Sequence, residues 1–467
     1  MFLQKIIKQD TQDMSKWFRA VVIVCALIYV GLWFFSIHIS RVEESRGIYP
    51  LLPAAPKDSI EYVKLSESLM SGNGLTMDGR LETLRLPGYP LFVGVIKTVF
   101  NSYFAVTLIQ IILIFASALV IRRIGILFSG KKVGEIAATI FLINPVSMTL
   151  ALLILTDVLF LFLFTLGLYL IISACEENKW KRVVFATLLF IASIYVRGMG
   201  IFALPIFLLP VFASKLSLKS QFRVAIALLL GILISAVPWI MRNYEKTGVA
   251  LFNSFESVNL SWAVPKFVAA TNGTDEEAET LAFQKATGVP EAEWRNLGWH
   301  DIRYSKQISA VGERIILSHP LSYAKFHLIT SMPFLFPSSI LFMRDAYDSS
   351  MNIDRPFVYG SINALIKGDW TTFYKGITKE WWKFGERILW LLGVVLMFIS
   401  LWFNRKGRLA WLFVFIVFFL MMLSGPAAGP RLSFQAWPCM FILFASGGIY
   451  LCQYLRKKFS GRDSKIG

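Results

Sequence analysis

The sequence predicts an all-α polytopic membrane protein. Of its 467 residues, 56% are hydrophobic and only 16% are charged, whereas soluble domains carry roughly 25% charged residues. The apolar residues form runs long enough to cross a bilayer, and the charged residues lie between these runs. Aromatic residues make up 15% of the chain, as expected of spans whose ends lie at headgroup depth. The net charge of +17 therefore belongs to the loops, and no nucleic-acid partner is expected.

The first apolar run, Phe18 to Ile39, is long enough for a retained span. At ~1.5 Å per residue it reaches ~33 Å, beyond the ~30 Å hydrocarbon core. It ends in WFFSIHIS, which has no small-residue cleavage site, so a signal peptide is not expected. The cysteines all fall in or beside apolar runs, which argues against a disulfide framework. They are Cys25, Cys175, Cys439 and Cys452.

About ten transmembrane helices are expected. The runs are 18–39, 104–120, 133–155, 158–172, 183–196, 201–212, 224–240, 388–403, 409–423 and 434–455. Basic residues in short loops mark the cytoplasmic side, as at Arg122 and Arg123, Lys131 and Lys132, and EENKWKR. Both termini are then cytoplasmic, and two large polar loops lie outside.

The predicted organisation has six parts. They are a cytoplasmic N-terminus (1–17), a transmembrane core with an outer loop (18–240, loop 41–103), a large outer loop (241–325), a re-entrant or interfacial segment and loop (326–385), C-terminal transmembrane helices (386–455) and a cytoplasmic tail (456–467). Within the first loop, 87–100 is expected on the membrane surface. The run 326–343 contains Pro333 and Pro337, and a full crossing there would place NRKGR outside, against the positive-inside bias.

Two acidic residues are candidates for catalysis. Asp58 lies in KDSIEYVKLSESL, where a helix would place Glu61 and Tyr62 on the same face. An aspartate held at the outer surface can accept the proton of an attacking hydroxyl. Asp157 lies in TLALLILTDVLFLFLF, where an ionisable group at membrane depth indicates a functional site with a partner from another helix. The alternative for each is a helix cap.

Four arginines map to the outer boundary, where basic residues run against the usual bias. They are Arg85, Arg197, Arg242 and Arg431. Their expected partners are phosphates or the two carboxylates, and the alternative is snorkelling to lipid headgroups. The sequence has no phosphate-binding loop, zinc motif or nucleophile elbow, and none of its histidines is selected. No cofactor is expected; a divalent cation would have only the two aspartates to support it.

Five pieces in order resemble the GT-C superfamily of glycosyltransferases, specifically the protein O-mannosyltransferase and lipid A aminoarabinose transferase group. They are DSIEY with LSESLMSGNG, LRLPGYPLF, TDVLFLFLFTLGLYL, VPWIMRNYEKTG and PRLSFQAWP. The resemblance implies a GT-C-like bundle whose core is catalytic, with Asp58 as the catalytic base or as a residue that orients the acceptor, and Asp157 as a second acid of the pocket. Substrate contacts would come from the four arginines, Glu61, Tyr62 and Tyr89. Many relatives carry two adjacent acids where this chain has Asp58 and Ser59.

The function implied is inverting transfer of a sugar from a polyprenyl-phosphate donor at the extracytoplasmic face of a bacterial plasma membrane. The acceptor would be a lipid, a glycan or a protein, and membrane lipids surround the enzyme. One alternative is a lipid-linked glycan flippase or transporter, which would place its charges nearer the bilayer midplane. Another is an enzyme like O-antigen ligases or polymerases, which use the same class of donor.

Overall fold

The computed structural model describes residues 13–45, 57–177, 179–295, 298–339, 342, 368–371, 374 and 381–460. Parts of both predicted termini, of the first loop and of the 326–385 segment lie outside these residues. The described chain is almost entirely helical. Its α-helices are α1 (Lys16–Ser45), α2 (Lys57–Met70), α3 (Gly88–Phe100), α4 (Phe104–Ser129), α5 (Lys131–Ile143), α6 (Pro145–Leu152), α7 (Thr156–Glu177), α8 (Trp180–Val196), α9 (Leu204–Phe212), α10 (Leu218–Thr247), α11 (Phe255–Asn272), α12 (Glu276–Thr287), α13 (Glu291–Arg295), α14 (Ser305–Ser318), α15 (Pro320–Ser331), α16 (Trp381–Phe403), α17 (Arg408–Ser424), α18 (Pro430–Ser433) and α19 (Trp437–Ser460).

Short elements connect these helices. The two-residue strands β1 (Thr76–Met77) and β2 (Arg80–Leu81) pair as an antiparallel hairpin. The 3₁₀ helices are Gly198–Ala203, Gly298–His300, Ile302–Tyr304, Met332–Phe334, Gly425–Ala427 and Phe434–Ala436.

The prediction of an all-α polytopic membrane protein is confirmed. Among the described residues, seven helices are long and apolar enough to cross a bilayer, and an eighth span is possible if α5 and α6 together form one. The seven segments are Lys16–Arg41, Phe104–Ser129, Thr156–Glu177, Leu218–Thr247, Gly385–Phe403, Arg408–Ala427 and Pro430–Phe459. The predicted spans at 183–196 and 201–212 correspond to the shorter α8 and to a 3₁₀ turn that continues into α9.

The predicted span 133–155 is not one straight helix. α5 and α6 meet at Asn144 with a bend of 58°. Pro145 has no N–H to continue the helix, and the Asn144 side chain accepts a hydrogen bond from the Val146 N–H at 2.9 Å. The chain breaks again between α6 and α7, where Leu153 is extended. Asp157 therefore lies just after a break in the chain, in the first turn of α7.

Glycine residues allow two helices of the bundle core to pack closely. A Cβ added to Gly125 of α4 would lie 2.6 Å from the Gly134 Cα of α5, so neither backbone could approach so closely with a larger residue. α7 is fully enclosed over most of its length, with Val158, Leu161 and Ile171 at 0% exposure. The first turn of α7, which carries Asp157, therefore lies inside the bundle.

The region after α10 folds as a helical unit with its own small core. Val264, Phe283, Val289 and Ile308 form this core between α11, α12 and α14. The unit contacts the first loop at Thr83, where the Ser254 N–H donates to the Thr83 carbonyl at 3.2 Å. The Ile302 N–H donates to the Thr83 hydroxyl at 2.9 Å. The two predicted outer loops are thus joined to each other.

Candidate active site

The helix α2 carries the first two acidic residues of the site. Asp58 lies in its first turn, and Glu61 and Tyr62 follow within the next turn. Arg85 reaches both carboxylates: its Nη2 lies 3.4 Å from Asp58 Oδ1, and the same nitrogen forms an ion pair with Glu61. The spacing of Asp58, Glu61 and Tyr62 along one helix therefore presents a single acidic face to Arg85.

Glu82 fixes the segment that carries Arg85. Its Oε1 accepts hydrogen bonds from the Leu84 N–H at 2.6 Å and from the Arg85 N–H at 3.1 Å. Its other oxygen lies 3.5 Å from Arg85 Nη1, and its side chain is 5% exposed. Glu82 therefore positions Arg85 through both its backbone N–H and its guanidinium group.

Asp157 lies in the first turn of α7 and has no solvent-exposed surface. Two arginines from distant segments bind it. Arg197, directly after α8, donates from Nη1 to Oδ1 at 2.5 Å, and Arg431 of α18 donates from Nε to Oδ2 at 2.8 Å. A buried carboxylate is tolerated only when such partners satisfy it.

Arg431 connects the two aspartates. While its Nε binds Asp157, its Nη1 donates to Asp58 Oδ2 at 2.5 Å. The planar guanidinium suits this role because its nitrogens diverge in fixed directions. Three segments that are far apart in the sequence therefore meet at one side chain.

The charges of this cluster balance. We define the ion-pair cluster as the carboxylates of Asp58, Glu61 and Asp157 with the guanidinium groups of Arg85, Arg197 and Arg431. It contains three negative and three positive groups. Glu82 and Arg242, which adjoin it through Arg85, add one charge of each sign, and this balance reduces the cost of holding ions inside the bundle. A ligand phosphate would add negative charge to a set that is already neutral.

Asp58 is the accessible acid of the cluster. Its side chain is 39% exposed, whereas that of Asp157 is 0% exposed. Partial burial raises the pKa of the Asp58 carboxyl, but the charges of Arg431, and then of Arg85 and Arg197, outweigh this effect and hold the pKa below its ordinary value. Asp58 is therefore ionised at neutral pH and can accept a proton from a ligand.

Arg242 is placed differently from the other three arginines. Its Nη1 donates to the Glu82 carbonyl at 3.4 Å and to Asn243 Oδ1 at 2.8 Å, and its guanidinium lies 4.5 Å from the centroid of the Trp239 ring. Within the described part of the chain, no carboxylate oxygen lies within 4 Å of its nitrogens. Its positive charge is stabilised by the Glu82 carbonyl, by Asn243 Oδ1, by the face of the Trp239 ring and by the nearby negative charge of Glu82.

The structure also shows residues that the sequence analysis did not select. Glu82 links Arg85 to Arg242. His300 is half-buried. Burial and then the positive charge of Arg85, opposed by the charge of Asp58, together lower the pKa of His300 to about 4. It is therefore neutral at physiological pH. Nothing in the local sequence marks His300, because the contact between the two loops brings it near the cluster.

The candidate Tyr89 lies in the interior rather than at a ligand-accessible surface. It is 0% exposed, and its hydroxyl donates to Gln110 at 2.7 Å. Its ring meets that of Tyr62 edge to face with centroids 5.0 Å apart. In the part of the chain that the structure describes, no three His, Cys, Asp or Glu side chains are grouped to hold a metal ion.

Known structures share the architecture of this chain. The archaeal oligosaccharyltransferase AglB from Archaeoglobus fulgidus, solved with an inhibitory peptide and a dolichol-phosphate, has a TM-score of 0.52 at 12% identity, over 96% of this chain and 52% of that protein. Another structure of the Archaeoglobus fulgidus oligosaccharyltransferase, complexed with Zn and sulfate, has a TM-score of 0.50 at 12% identity, over 95% of this chain and 51% of that one. The chain thus spans about half the length of these proteins.

ArnT from Cupriavidus metallidurans, solved with undecaprenyl phosphate, has a TM-score of 0.41 at 12% identity, over 91% of this chain and 76% of that protein. At such identities the likeness to the two oligosaccharyltransferase structures concerns the fold alone. No curated protein matches the chain in sequence.

A family model described as a domain of unknown function (DUF8201) matches residues 88–342. The matched region contains Asp157, Arg197 and Arg242, while Asp58 and Arg431 lie on either side of it. Because the match covers more than half of the chain, this protein belongs to the DUF8201 family.

Proposed function

We propose that the chain is a membrane glycosyltransferase that moves a sugar from a polyprenyl-phosphate donor to a lipid, glycan or protein acceptor. The observation that carries this proposal is the bridge from Arg431 to both Asp58 and Asp157, which holds one accessible carboxylate beside a buried one. The fold shared with an oligosaccharyltransferase solved with dolichol-phosphate supports the choice of donor class. Because phosphate is already a fair leaving group, the protein needs mainly to position the two substrates, to supply a base and to bind the phosphate.

Asp58 acts as the base in the proposed reaction. Its carboxylate accepts the proton of the acceptor hydroxyl as that oxygen forms a bond to the anomeric carbon of the donor. The bond between the anomeric carbon and the phosphate oxygen breaks in the same step, and the lipid phosphate departs with the electron pair. Attack opposite the departing phosphate inverts the anomeric configuration. Arg431 and Arg85 orient the Asp58 carboxylate for this transfer.

We assign the donor phosphate to Arg242. The other three arginines already face carboxylates, so a phosphate would have to compete with Asp58, Glu61 or Asp157 for them. Among the described residues Arg242 forms no ion pair within 4 Å, and its hydrogen bonds come from Nη1, so a phosphate could bind Nε and Nη2 without displacing an acceptor. Its contact with the Glu82 carbonyl, and that of Glu82 with Arg85, join this phosphate site to the base.

The proposed setting is the bacterial plasma membrane, with both termini cytoplasmic and the cluster at the outer face. Substituted-cysteine labelling of intact cells tests this orientation at Lys406, in the loop between α16 and α17. Protection of Lys406→Cys from an impermeant thiol reagent is expected, because its basic loop belongs inside. Labelling from outside would reverse the assignment and require the 326–343 run to cross the membrane.

Deletion of the gene in its source organism tests the activity. We expect one cell-envelope glycan to disappear, and Asp58→Asn to fail to restore it although the variant accumulates in the membrane. Asp78→Asn is a matched control: it lies in the same loop, it is exposed, and its carboxylate pairs with Lys64 at 2.9 Å rather than with the cluster. Near-normal glycan with Asp58→Asn would remove Asp58 from catalysis.

The same experiment separates transfer from transport. A transferase variant without its base leaves the unused donor at the outer face, where a membrane-impermeant glycosidase can cleave it. Donor that stays protected in deletion-strain cells would instead indicate a flippase.

A further inference from the structure

The helix break ahead of Asp157 leaves backbone carbonyl groups without their helical donors. The Leu155 N–H donates to the Leu153 carbonyl at 2.9 Å, whereas in a continuous helix it would bond the carbonyl of Ala151, four residues earlier. Ala151 and Leu153 are 0% and 1% exposed. Within the apolar interior of a membrane protein, the freed Ala151 carbonyl requires another donor, and the Leu153 carbonyl can accept a second hydrogen bond.

Gln110 of α4 supplies that donor. Its Nε2 donates to the Ala151 carbonyl at 3.2 Å and to the Leu153 carbonyl at 2.7 Å, while its Oε1 accepts from the Tyr89 hydroxyl at 2.7 Å. The side chain is 0% exposed. Because both carbonyls can only accept, the amide nitrogen must face them and the amide oxygen must face Tyr89. The orientation of Gln110 is therefore determined by its partners.

Tyr89 continues the connection to the first loop. Its ring packs edge to face against Tyr62, with centroids 5.0 Å apart. Tyr62 follows Asp58 by one turn of α2, and the Arg85 guanidinium lies 5.6 Å from the centroid of the Tyr62 ring. Contacts thus run without interruption from the backbone before Asp157, through Gln110, to the helix that carries Asp58.

We propose that Gln110 is a positioning residue that fixes the start of α7, and with it Asp157, relative to the Asp58 helix. This inference rests on the proposed transferase function. Gln110 does not touch the cluster. It acts by setting where α7 begins, so that Asp157 can bind Arg431 while Arg431 also binds Asp58. A displacement of about 1 Å at a reacting group can cost roughly a hundredfold in rate.

The test compares Gln110→Leu and Tyr89→Phe with Ser117→Ala. Gln110→Leu removes all three hydrogen bonds at similar volume, and Tyr89→Phe removes only the one to the Gln110 carbonyl oxygen. Ser117 is the matched control because it lies two turns along the same helix, is also buried, and donates only to the Leu113 carbonyl of that helix. Membrane vesicles of the deletion strain carry each variant and supply the acceptor. Total lipid extract of that strain, in which unused donor accumulates, is the titrated donor probe.

We expect the maximal transfer rate per mole of folded protein to fall by about 10-fold to 100-fold in Gln110→Leu and by a smaller factor in Tyr89→Phe. The extract concentration at half-maximal rate should not change, because no donor contact is lost. Hydrogen exchange at residues 151–157 should accelerate in Gln110→Leu and not in Ser117→Ala.

A wild-type rate in Gln110→Leu overturns the positioning role, as does an unchanged maximal rate with a raised half-saturation concentration. If Gln110→Leu does not fold, Tyr89→Phe decides, since a rate equal to that of Ser117→Ala would refute the connection. Failure of the wild-type protein itself to transfer sugar would instead refute the proposed function.

Discussion

The ion pairs of Asp157 are buried, whereas those of Asp58 are partly exposed. We therefore expect substitution of Asp157 to lower both stability and transfer, and substitution of Asp58 to lower mainly transfer. Asp157→Asn removes one negative charge from a balanced cluster in which its carboxylate is 0% exposed. Arg431 keeps Asp58, but Arg197 loses the one carboxylate within 4 Å of it in the described structure. The asparagine amide also places N–H donors against a guanidinium that can only donate.

The expected cost follows from burial. Breaking a buried pair and leaving one charge uncompensated costs about 3–5 kcal/mol, whereas exposed pairs contribute about 0–1 kcal/mol. Asp58 is 39% exposed, so Asp58→Asn should cost about 1 kcal/mol or less. At roughly 2 °C per kcal/mol for a long chain, Asp157→Asn should lower the apparent Tm by about 6–10 °C and Asp58→Asn by about 2 °C.

The assay is thermal unfolding of the purified full-length protein in detergent, followed by tryptophan fluorescence, together with glycan restoration in cells. Both single variants should lose transfer. Adding Arg197→Met to Asp157→Asn removes the unpaired cation, so the double variant should regain much of the lost stability while staying inactive. Equal Tm values for the two aspartate variants, or strictly additive losses in the double variant, would refute this account of the cluster.

Three further outcomes are expected. The folded-state pKa of Asp58 lies below its ordinary 3.8, so its ion pairs stabilise the protein above that pH, and this stabilisation is lost as the pH falls through the folded-state pKa. The Tm difference between wild type and Asp58→Asn should therefore be constant from about pH 5 to pH 8. A change of that difference within this range, measured by thermal unfolding at each pH, would contradict the ion pairing. Gly88→Ala places a Cβ 2.6 Å from the Tyr195 carbonyl oxygen and should cost about 1–3 kcal/mol; Gly31→Ala, with open space around its Cβ, is the control in the same unfolding assay. Arg242→Lys should raise the donor concentration at half-maximal rate about tenfold with little change in maximal rate, since a point charge replaces a two-pronged donor; a loss confined to the maximal rate would show that Arg242 does not bind ground-state donor.

Local sequence features predicted the elements of this protein better than the contacts between them. Hydrophobic run length placed the long spans because a bilayer imposes a minimum length on any crossing helix. The break at Asn144 was missed although Asn-Pro is a turn signal, because the apolar run around it is continuous. The sequence does not mark Gln110 for a similar reason, because one amide in a long apolar span changes the mean hydropathy of that span only slightly.

An argument about location selected the candidate residues, but it did not predict how they pair. Charges at the outer ends of spans are unusual, which selected Asp157, Arg197 and Arg431 without any knowledge of the fold. Which arginine binds which acid depends on how segments from 24 to 373 residues apart pack, and no rule of sequence spacing predicts that. The same holds for His300, which reaches the cluster only because the two loops meet at Thr83.

The cluster makes the fold and the proposed site depend on the same bonds. Asp157 cannot be satisfied by its own helix, and it obtains its partners from the segment after α8 and from α18, near the end of the described chain. Until α18 docks, a buried carboxylate keeps one partner and Asp58 keeps the more distant Arg85, at 3.4 Å. The free energy that closes the bundle is therefore partly the free energy that orients the base. A substitution that only weakens the docking of α18 should then reduce transfer before it unfolds the protein, because the proposed activity depends on the Arg431 bridge, whereas the packing of the remaining spans does not.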